Sequence, residues 1–243
     1  GHSVPAINYI ERCLTDLKAG CGEMVGGIWL IQPSGQDWMA KSIAAAAAHP
    51  LGVGDALYRY ATQPAWVDTV PFGAFHRQLV EKVGLYDETL LTNEDYEFNT
   101  RIRQAGGKIW LDPAIQSAYY SRPNLAMLAR QYWRYGYWKY KMLQRYPKTL
   151  RWRQALPPIF TLSLLLLGSL SLIWSGMFYL LIFEIILYFF VLFAGSIAPA
   201  RRKQEPLLLL GIPAAIASMH LSWGSGFIGS VIKSIFGRRS DRI

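Results

Sequence analysis

Cysteine and acidic residues are scarce in this sequence of 243 residues, and it does not open with a signal peptide. Only Cys13 and Cys21 are present, with no histidine or second cysteine pair at metal-ligand spacing, so a reduced, cytosolic compartment is the default. The first residues, Gly1 to Pro5, are typical of a loop and lack the charged and apolar regions of a signal peptide. Asp and Glu number 16 against 25 Lys and Arg, which leaves a formal charge of +9.

The surplus of basic residues is unevenly placed along the chain. Many of them lie between Arg122 and Arg153, and three more form the run Arg201-Arg202-Lys203. Both groups flank apolar runs, and this placement favours anionic lipid headgroups over nucleic acid as the partner. The sequence therefore predicts contact with membrane lipid and no nucleic-acid partner.

Hydrophobic residues make up 52% of the chain and are concentrated after Leu156. The stretch 157–198 is almost wholly apolar and, at about 40 residues, is long enough for two spans of about 20 residues each. We expect these spans at about 157–174 and 177–198. Glu184 falls inside the second span, where a carboxylate is either a functional candidate or a group that is protonated or paired with a neighbouring helix. Because basic residues flank the stretch on both sides, both flanks should face the cytosol.

The apolar stretch 207–236 allows two interpretations. It is interrupted by proline and glycine and, at about 30 residues, is too short for two full spans, so it is either one tilted span or a re-entrant hairpin. The basic residues Arg238, Arg239 and Arg242 that follow it slightly favour the hairpin. We expect His220 to be a packing residue, because no second metal ligand lies one helical turn away.

Before Leu125, segments with helical spacing alternate with short apolar runs. In chain order these are a helix at Ala6–Lys18, a strand at Met24–Ile31, a helix at Asp37–His49, a strand at Trp66–Val70, a helix at Arg77–Val83, a helix at 92–107 and a strand at Lys108–Leu111. This alternation predicts an α/β fold. Gly26-Gly27 in the first strand indicates close backbone approach, by a ligand or at a simple bulge. We expect three parts: an α/β part at 1–124, an amphipathic juxtamembrane helix region at 125–153 and a transmembrane region at 154–243.

The stretch 92–107 carries two adjacent carboxylates, Glu94 and Asp95, in the first turn of a predicted helix. Asp95, Phe98 and Ile102 fall on one face of that helix, and a glycine pair supplies its stop. A carboxylate at a helix start that faces a cleft suits a general base. The alternative is purely structural, because Thr92 followed three residues later by Asp95 also fits a capping box.

The stretch 125–146 is amphipathic, basic and rich in aromatic residues, as interfacial helices are. Gln131, Arg134, Tyr135 and Trp138 fall on one face, which could point into a site while the opposite face rests on lipid. The alternative is an aromatic belt with cytosolic positive charge. A planar guanidinium is suited to a diphosphate, which favours a binding role for Arg134.

These two stretches together resemble the motifs of family 2 inverting glycosyltransferases. Asn93-Glu94-Asp95, followed by Arg101 and a glycine pair, is similar to the acidic motif of that family. The run Gln131-Tyr132-Trp133-Arg134-Tyr135 is similar to its Q-x-x-R-W signature, with Tyr135 where the tryptophan usually stands. The run from Val67 to Phe75 and the hydrophobic C-terminal third resemble the succinoglycan type, which acts in exopolysaccharide biosynthesis. The resemblance covers nearly the whole chain.

The resemblance implies a partial GT-A-like domain, the fold of nucleotide-diphospho-sugar transferases, on a bacterial inner membrane with its catalytic part in the cytoplasm. It implies that Asp95 is the base that deprotonates the acceptor hydroxyl, and that Glu94 orients the acceptor or shapes the pocket. The implied substrate-binding residues are Gln131, Arg134, Tyr135, Trp138, Phe72 and Gly73. Gln131 with Arg134 would hold the diphosphate or the acceptor, and Phe72 and Gly73 would line the acceptor side. The implied substrates are a nucleotide-diphosphate sugar and a lipid-linked saccharide.

The sequence departs from this family because it has no Asp-x-Asp motif and no βαβ unit that leads to one. In the family these hold the nucleotide and a Mg or Mn ion. His2, Pro5, Tyr9 and Ile10 resemble the segment that follows the motif, so we expect a fragment that starts just after it and is inactive alone. Two alternatives remain: a non-enzymatic membrane subunit of a polysaccharide assembly or export system, and a fragment of a processive polysaccharide synthase.

Overall fold

The computed structural model describes residues 3–237. The strands are β1 (Ser3–Pro5), β2 (Met24–Gln32), β3 (Ala65–Val67), β4 (Ala74–Phe75) and β5 (Ile109–Tyr120). The helices are α1 (Tyr9–Lys18), α2 (Trp38–Ala47), α3 (Pro50–Val53), α4 (Arg77–Val83), α5 (Glu94–Gln104), α6 (Leu125–Arg145), α7 (Trp152–Leu170), α8 (Ser175–Lys203) and α9 (Leu208–Gly237). Of the residues used above, His2, Arg238, Arg239 and Arg242 lie outside the described range.

The chain divides into two compact units, and each is described by itself. The first, which we call the α/β unit, comprises Gly1–Gln32 and Ala47–Ser121. The second, which we call the helical unit, comprises Pro33–Ala46 and Arg122–Ile243. The α/β class expected for the N-terminal part is thus confirmed, but residues 33–46, which we had placed with it, group with the C-terminal helices.

The α/β unit is built on a mixed sheet whose strand order is β1-β5-β2-β4. Strands β2 and β5 run parallel, while β1, β3 and β4 each pair antiparallel with a neighbour. Strand β5 is the longest strand. The residues at its start pair with β3, and the residues near its end pair with β1. The prediction that this strand ends at Leu111 was therefore wrong. It continues through Asp112 and Pro113 to Tyr120.

The continuation of β5 depends on an irregularity opposite Gly27. The pairing of β2 with β5 passes from Gly26↔Leu111 to Ile28↔Gln116, so four residues of β5 bulge out at this point. A Cβ on Gly27 would lie 1.7 Å from the carbonyl oxygen of Ile115. Of the two interpretations of the glycine pair, the structure has the bulge, in which the close neighbour is backbone rather than a ligand.

Helix α5 packs its apolar face into the main core of the α/β unit. Phe98 and Ile102 are fully buried there, together with Met24 of β2 and with Ile109 and Leu111 of β5. The spacing of Phe98 and Ile102 is what the sequence predicted for the buried face of this helix. Their burial fixes the direction in which the first turn of α5 points.

The helical unit contains the three described helices that are long and apolar enough to cross a membrane, namely α7, α8 and α9. The stretch 207–236 forms α9 as one continuous helix, so the described residues contain no turn for the hairpin that we slightly favoured. Glu184 on α8 is paired with a neighbouring helix, since the Ser163 hydroxyl of α7 donates to its Oε1 at 2.5 Å. His220 of α9 is a packing residue as expected, with Tyr188 of α8 at 3.0 Å from its Nδ1.

Helix α6 packs tightly along α9 rather than standing apart from the bundle. A Cβ on Gly136 would lie 2.0 Å from the carbonyl oxygen of Trp223, and a Cβ on Gly226 would lie 2.1 Å from that of Trp133. Glycine at both positions lets the two backbones approach closely, as small residues do between membrane helices. One side of α6 is thus covered by protein, while Trp133 remains exposed on another side.

Helix α2 belongs to the same helical unit. It begins after Asp37, whose carboxylate accepts from the next backbone N–H groups, and its Lys41 forms a 2.7 Å ion pair with Glu205 beside the start of α9. A Cβ on Gly211 would lie 1.9 Å from the Ser42 hydroxyl oxygen. The small side chains of α2 therefore allow α9 to pack directly on it.

Candidate functional site

Helix α5 begins at Glu94 without the capping box that the sequence allowed. Its N-cap residue is Asn93, which adopts a left-handed conformation at φ 71° and makes no side-chain capping hydrogen bond. The Thr92 hydroxyl donates instead to the carbonyl of Leu91. The capping-box alternative for Thr92 and Asp95 is therefore wrong. A non-glycine residue with positive φ is uncommon and is found preferentially at functional sites.

Asp95 presents its carboxylate at the start of α5. One of its oxygens accepts the backbone N–H of Tyr96 at 2.7 Å. The residue as a whole is exposed, but its carboxyl group is enclosed by the surrounding protein. The resulting loss of solvation raises the pKa of Asp95, the Tyr96 N–H opposes this, and the charge of Glu94 raises the pKa further. A reachable carboxylate whose pKa is raised is a better proton acceptor than an ordinary surface aspartate.

The first turns of α5 are anchored by the segment between β3 and β4. The Tyr96 hydroxyl donates to buried Asp68 at 3.0 Å, and the Asn99 amide donates to the Thr69 hydroxyl at 2.6 Å and to the Val70 carbonyl at 3.4 Å. These contacts fix Tyr96, which directly follows Asp95, and Asn99, which lies about one helical turn beyond Asp95. The sequence analysis missed this role of Asp68 and Tyr96, although both lie in or beside the motifs it quoted.

Phe72 and Gly73, which follow this anchor, differ in their surroundings. Phe72 adopts φ 50°, its carbonyl accepts the Tyr9 hydroxyl at 2.9 Å, and its side chain is 54% exposed. A bulky residue in this conformation is strained. A Cβ on Gly73 would lie 2.6 Å from the sulfur of Met24, so glycine is needed there for packing. Phe72 is thus the member of the pair that offers a side chain to a ligand.

A second anchor holds the loop between α4 and α5. Glu97 is 1% exposed and forms a two-point ion pair with Arg101, with N–O distances of 2.7 and 2.9 Å. The same guanidinium donates to the carbonyls of Val83, Gly84 and Leu85. Arg101 therefore ties the end of α4 to α5, and Tyr86 follows directly after the carbonyls it binds.

Two of the four predicted binding residues of α6, Gln131 and Tyr135, are linked to each other within the helical unit. The Gln131 amide nitrogen donates to the Tyr135 hydroxyl at 2.7 Å, and its oxygen accepts from Arg122 at 3.3 Å. Arg122 was not singled out by the sequence analysis. Arg134 lies on an exposed part of α6, and Trp138 contacts the ring of its neighbour Tyr137 edge to face. Tyr135 thus uses a hydroxyl, which tryptophan lacks, to fix Gln131.

The described residues do not fit the divalent cation that the resemblance implies. Within residues 3–237, no group of three or more His, Cys, Asp or Glu side chains could hold a metal ion. Magnesium and manganese prefer several oxygen ligands, usually carboxylates. No step of the chemistry below is assigned to a cation.

Two curated proteins are similar to this chain. ExoA, a succinoglycan biosynthesis protein of Rhizobium meliloti (strain 1021), is 26% identical over 226 residues, which cover 93% of this chain and 66% of the relative. A dolichyl N-acetyl-alpha-D-glucosaminyl phosphate 3-beta-D-2,3-diacetamido-2,3-dideoxy-beta-D-glucuronosyltransferase of Methanococcus voltae is 27% identical over 210 residues, which cover 86% of this chain and 60% of the relative.

These relatives support a glycosyltransferase family for the chain, which spans less than two thirds of their length. No protein-family model matches the chain, and no solved structure matches it significantly. The similarity extends over 86% of the chain or more, so it includes residues of both the α/β unit and the helical unit.

Proposed function

We propose that this chain is the acceptor-side and membrane part of an inverting glycosyltransferase that moves a sugar from a nucleotide-diphosphate sugar to a lipid-linked saccharide in exopolysaccharide biosynthesis. The observation that carries the proposal is the Asp95 carboxyl at the start of α5, whose raised pKa and anchored helix suit a general base. The names of the two relatives support it, because one is a sugar transferase acting on a dolichyl sugar phosphate and the other is a succinoglycan biosynthesis protein.

The reaction requires a group on the acceptor side that takes the proton of the attacking hydroxyl. As the acceptor oxygen attacks the anomeric carbon, its proton passes to the Asp95 carboxylate. The bond from that carbon to the diphosphate breaks on the opposite face, and the electron pair leaves with the diphosphate, so the anomeric configuration inverts. Glu94 would orient the acceptor, and its negative charge helps to keep Asp95 basic.

The binding roles are assigned by resemblance to residues in both units. Phe72, with its exposed ring, would line the acceptor side of the α/β unit. Gln131 and Arg134 would bind the diphosphate or the acceptor, with Tyr135 fixing Gln131. A guanidinium suits the departing diphosphate because it stays charged and can make two parallel hydrogen bonds. The three apolar helices would place the enzyme in the cell membrane, with the α/β unit on the cytoplasmic side.

The proposal is tested by the stereochemistry of transfer. Membranes from cells that produce the whole enzyme, of which this chain would be the acceptor-side and membrane part, are supplied with labelled nucleotide-diphosphate sugars and a lipid-linked saccharide. We expect a glycolipid product whose anomeric configuration, read by NMR, is opposite to that of the donor. Retention of configuration, or no transfer from any donor by membranes that contain folded protein, would contradict the proposal. The alternative, a non-enzymatic membrane subunit, predicts that no transfer occurs from any donor.

A further inference from the structure

Tyr86 lies near the proposed base and has no role in the transfer proposed above. It lies in the loop between α4 and α5, and its side chain is 43% exposed. The sequence analysis treated this loop only as a turn. Three observations place the tyrosine ring beside Asp95 and hold it there.

The first observation is the stacking of Tyr86 on α5. Its ring lies against that of Phe98 with centroids 4.5 Å apart and planes 23° apart. Phe98 is three residues after Asp95, so the two share one face of the helix. Aromatic side chains in helices point back toward the N-terminus, which directs Phe98, and the ring stacked on it, toward Asp95.

The second observation is the rigidity of the loop. Arg101 donates to the carbonyls of the three residues that precede Tyr86, and buried Glu97 holds Arg101 in place. The Arg101 guanidinium also lies 5.2 Å from the centroid of the Phe98 ring. A side chain fixed in this way loses little conformational freedom when a ligand binds.

The third observation is electrostatic. Burial, and then the negative charges of Asp95 and Glu94, raise the pKa of Tyr86. The phenol is therefore within the field of both carboxylates. This agrees with the position that the stacking on Phe98 gives it.

We propose that Tyr86 forms a wall of the acceptor site beside Asp95, against which the sugar ring that carries the attacking hydroxyl packs. This inference rests on the proposed glycosyl transfer. One face of a sugar ring carries mainly C–H groups, whose partial positive charge suits the negative face of an aromatic ring. Packing on the wall would bring the attacking hydroxyl to the Asp95 carboxylate. A water molecule that attacks the donor has no sugar ring, so hydrolysis gains nothing from this packing.

The test is the ratio of transfer to hydrolysis of the donor in membranes that contain the whole enzyme, with each substitution made in this part of it. At subsaturating acceptor, Tyr86→Leu should lower this ratio about tenfold and raise the acceptor KM by about the same factor. Tyr86→Phe keeps the ring and should change the ratio less than about threefold. Tyr86→Met provides a second aliphatic variant in case the leucine variant unfolds. Leu85→Ala, a change at the adjacent residue that is 76% exposed, is the matched control.

Each outcome has a distinct meaning. Equal losses of transfer and hydrolysis in the leucine or methionine variant, with an unchanged ratio, would show a structural role and overturn the inference. So would a loss in Tyr86→Phe as large as that in Tyr86→Leu. If the unaltered protein neither transfers nor hydrolyses a nucleotide sugar, the proposed function itself fails, which is a different result.

Discussion

Replacing Asp95 by asparagine distinguishes a general base from a residue that only shapes the start of α5. Asparagine has the same size and keeps a side-chain oxygen that can accept the Tyr96 N–H, now bound at 2.7 Å. It cannot take a proton from an acceptor hydroxyl. We expect kcat of the full-length enzyme to fall about a hundredfold or more while donor and acceptor binding stay near wild type, because the lost interaction is made in the transition state.

The effect of the same substitution on stability should be small. Loss of a negative charge in the first turn of a helix costs about 0.3–1 kcal/mol. Relief of the repulsion between Asp95 and Glu94, which raises the pKa of Asp95, acts in the opposite direction. The free energy of unfolding should therefore change by no more than about 1 kcal/mol, measured by denaturant titration in detergent.

A matched control is Tyr96→Phe, which leaves the Asp95 carboxylate in place. It removes the hydroxyl that donates to buried Asp68 at 3.0 Å. Withdrawing a donor from a buried carboxylate costs about 1–3 kcal/mol, so this variant should lose stability while its remaining folded fraction keeps more activity than Asp95→Asn. Thr92→Ala should have little effect on the helix start, because Thr92 is not the N-cap residue.

The reasoning fails if Asp95→Asn keeps more than about a tenth of wild-type turnover in a folded protein. Glu94 would then be the next candidate for the base. It would also fail if Asp95→Asn unfolded the protein while Tyr96→Phe did not. That pattern would make the carboxylate a structural element.

Two further predictions concern acidity and topology. Glu94→Gln removes a charge that raises the pKa of Asp95, so the acidic limb of the plot of kcat/KM against pH should move to lower pH. If the limb does not move, or moves to higher pH, Glu94 does not act on the base. Cysteines introduced near Lys148 and Lys203 should resist an impermeant reagent added outside the cell, whereas one in the loop near Ser175, where α8 begins, should react. Labelling at either of the first two would contradict the proposed orientation.

The extent of helix α5 could be predicted because its pattern is local. The spacing of Phe98 and Ile102 defines its buried face, and both residues are fully buried. The way in which α5 begins could not be predicted, because Thr92 and Asp95 also fit the sequence pattern of a capping box, which the structure does not form. The turn that follows Asn93 is fixed by tertiary contacts, such as that between Tyr96 and Asp68, which a local pattern does not reveal.

Other differences have the same origin in long-range contacts. Strand β5 looked as though it ended at Asp112-Pro113, since that pair usually closes a strand. Pairing with β1 at one end and β3 at the other carries the strand through this irregularity. The position of Tyr86 was likewise hidden, because it depends on contacts with Phe98 and on the loop held by Arg101, which lie on the next helix.

Helix α2 limits how the protein can be shortened. The polypeptide passes between the two units three times, after residues 32, 46 and 121. A protein that ends at Ser121 would retain α2 without α9, so Lys41 would lose its ion pair with Glu205. The small side chains of α2 that now pack against Gly211 would become an exposed apolar surface prone to aggregation. A soluble form of the α/β unit therefore needs two alterations: termination at Ser121 and replacement of residues 33–46 by a short polar linker.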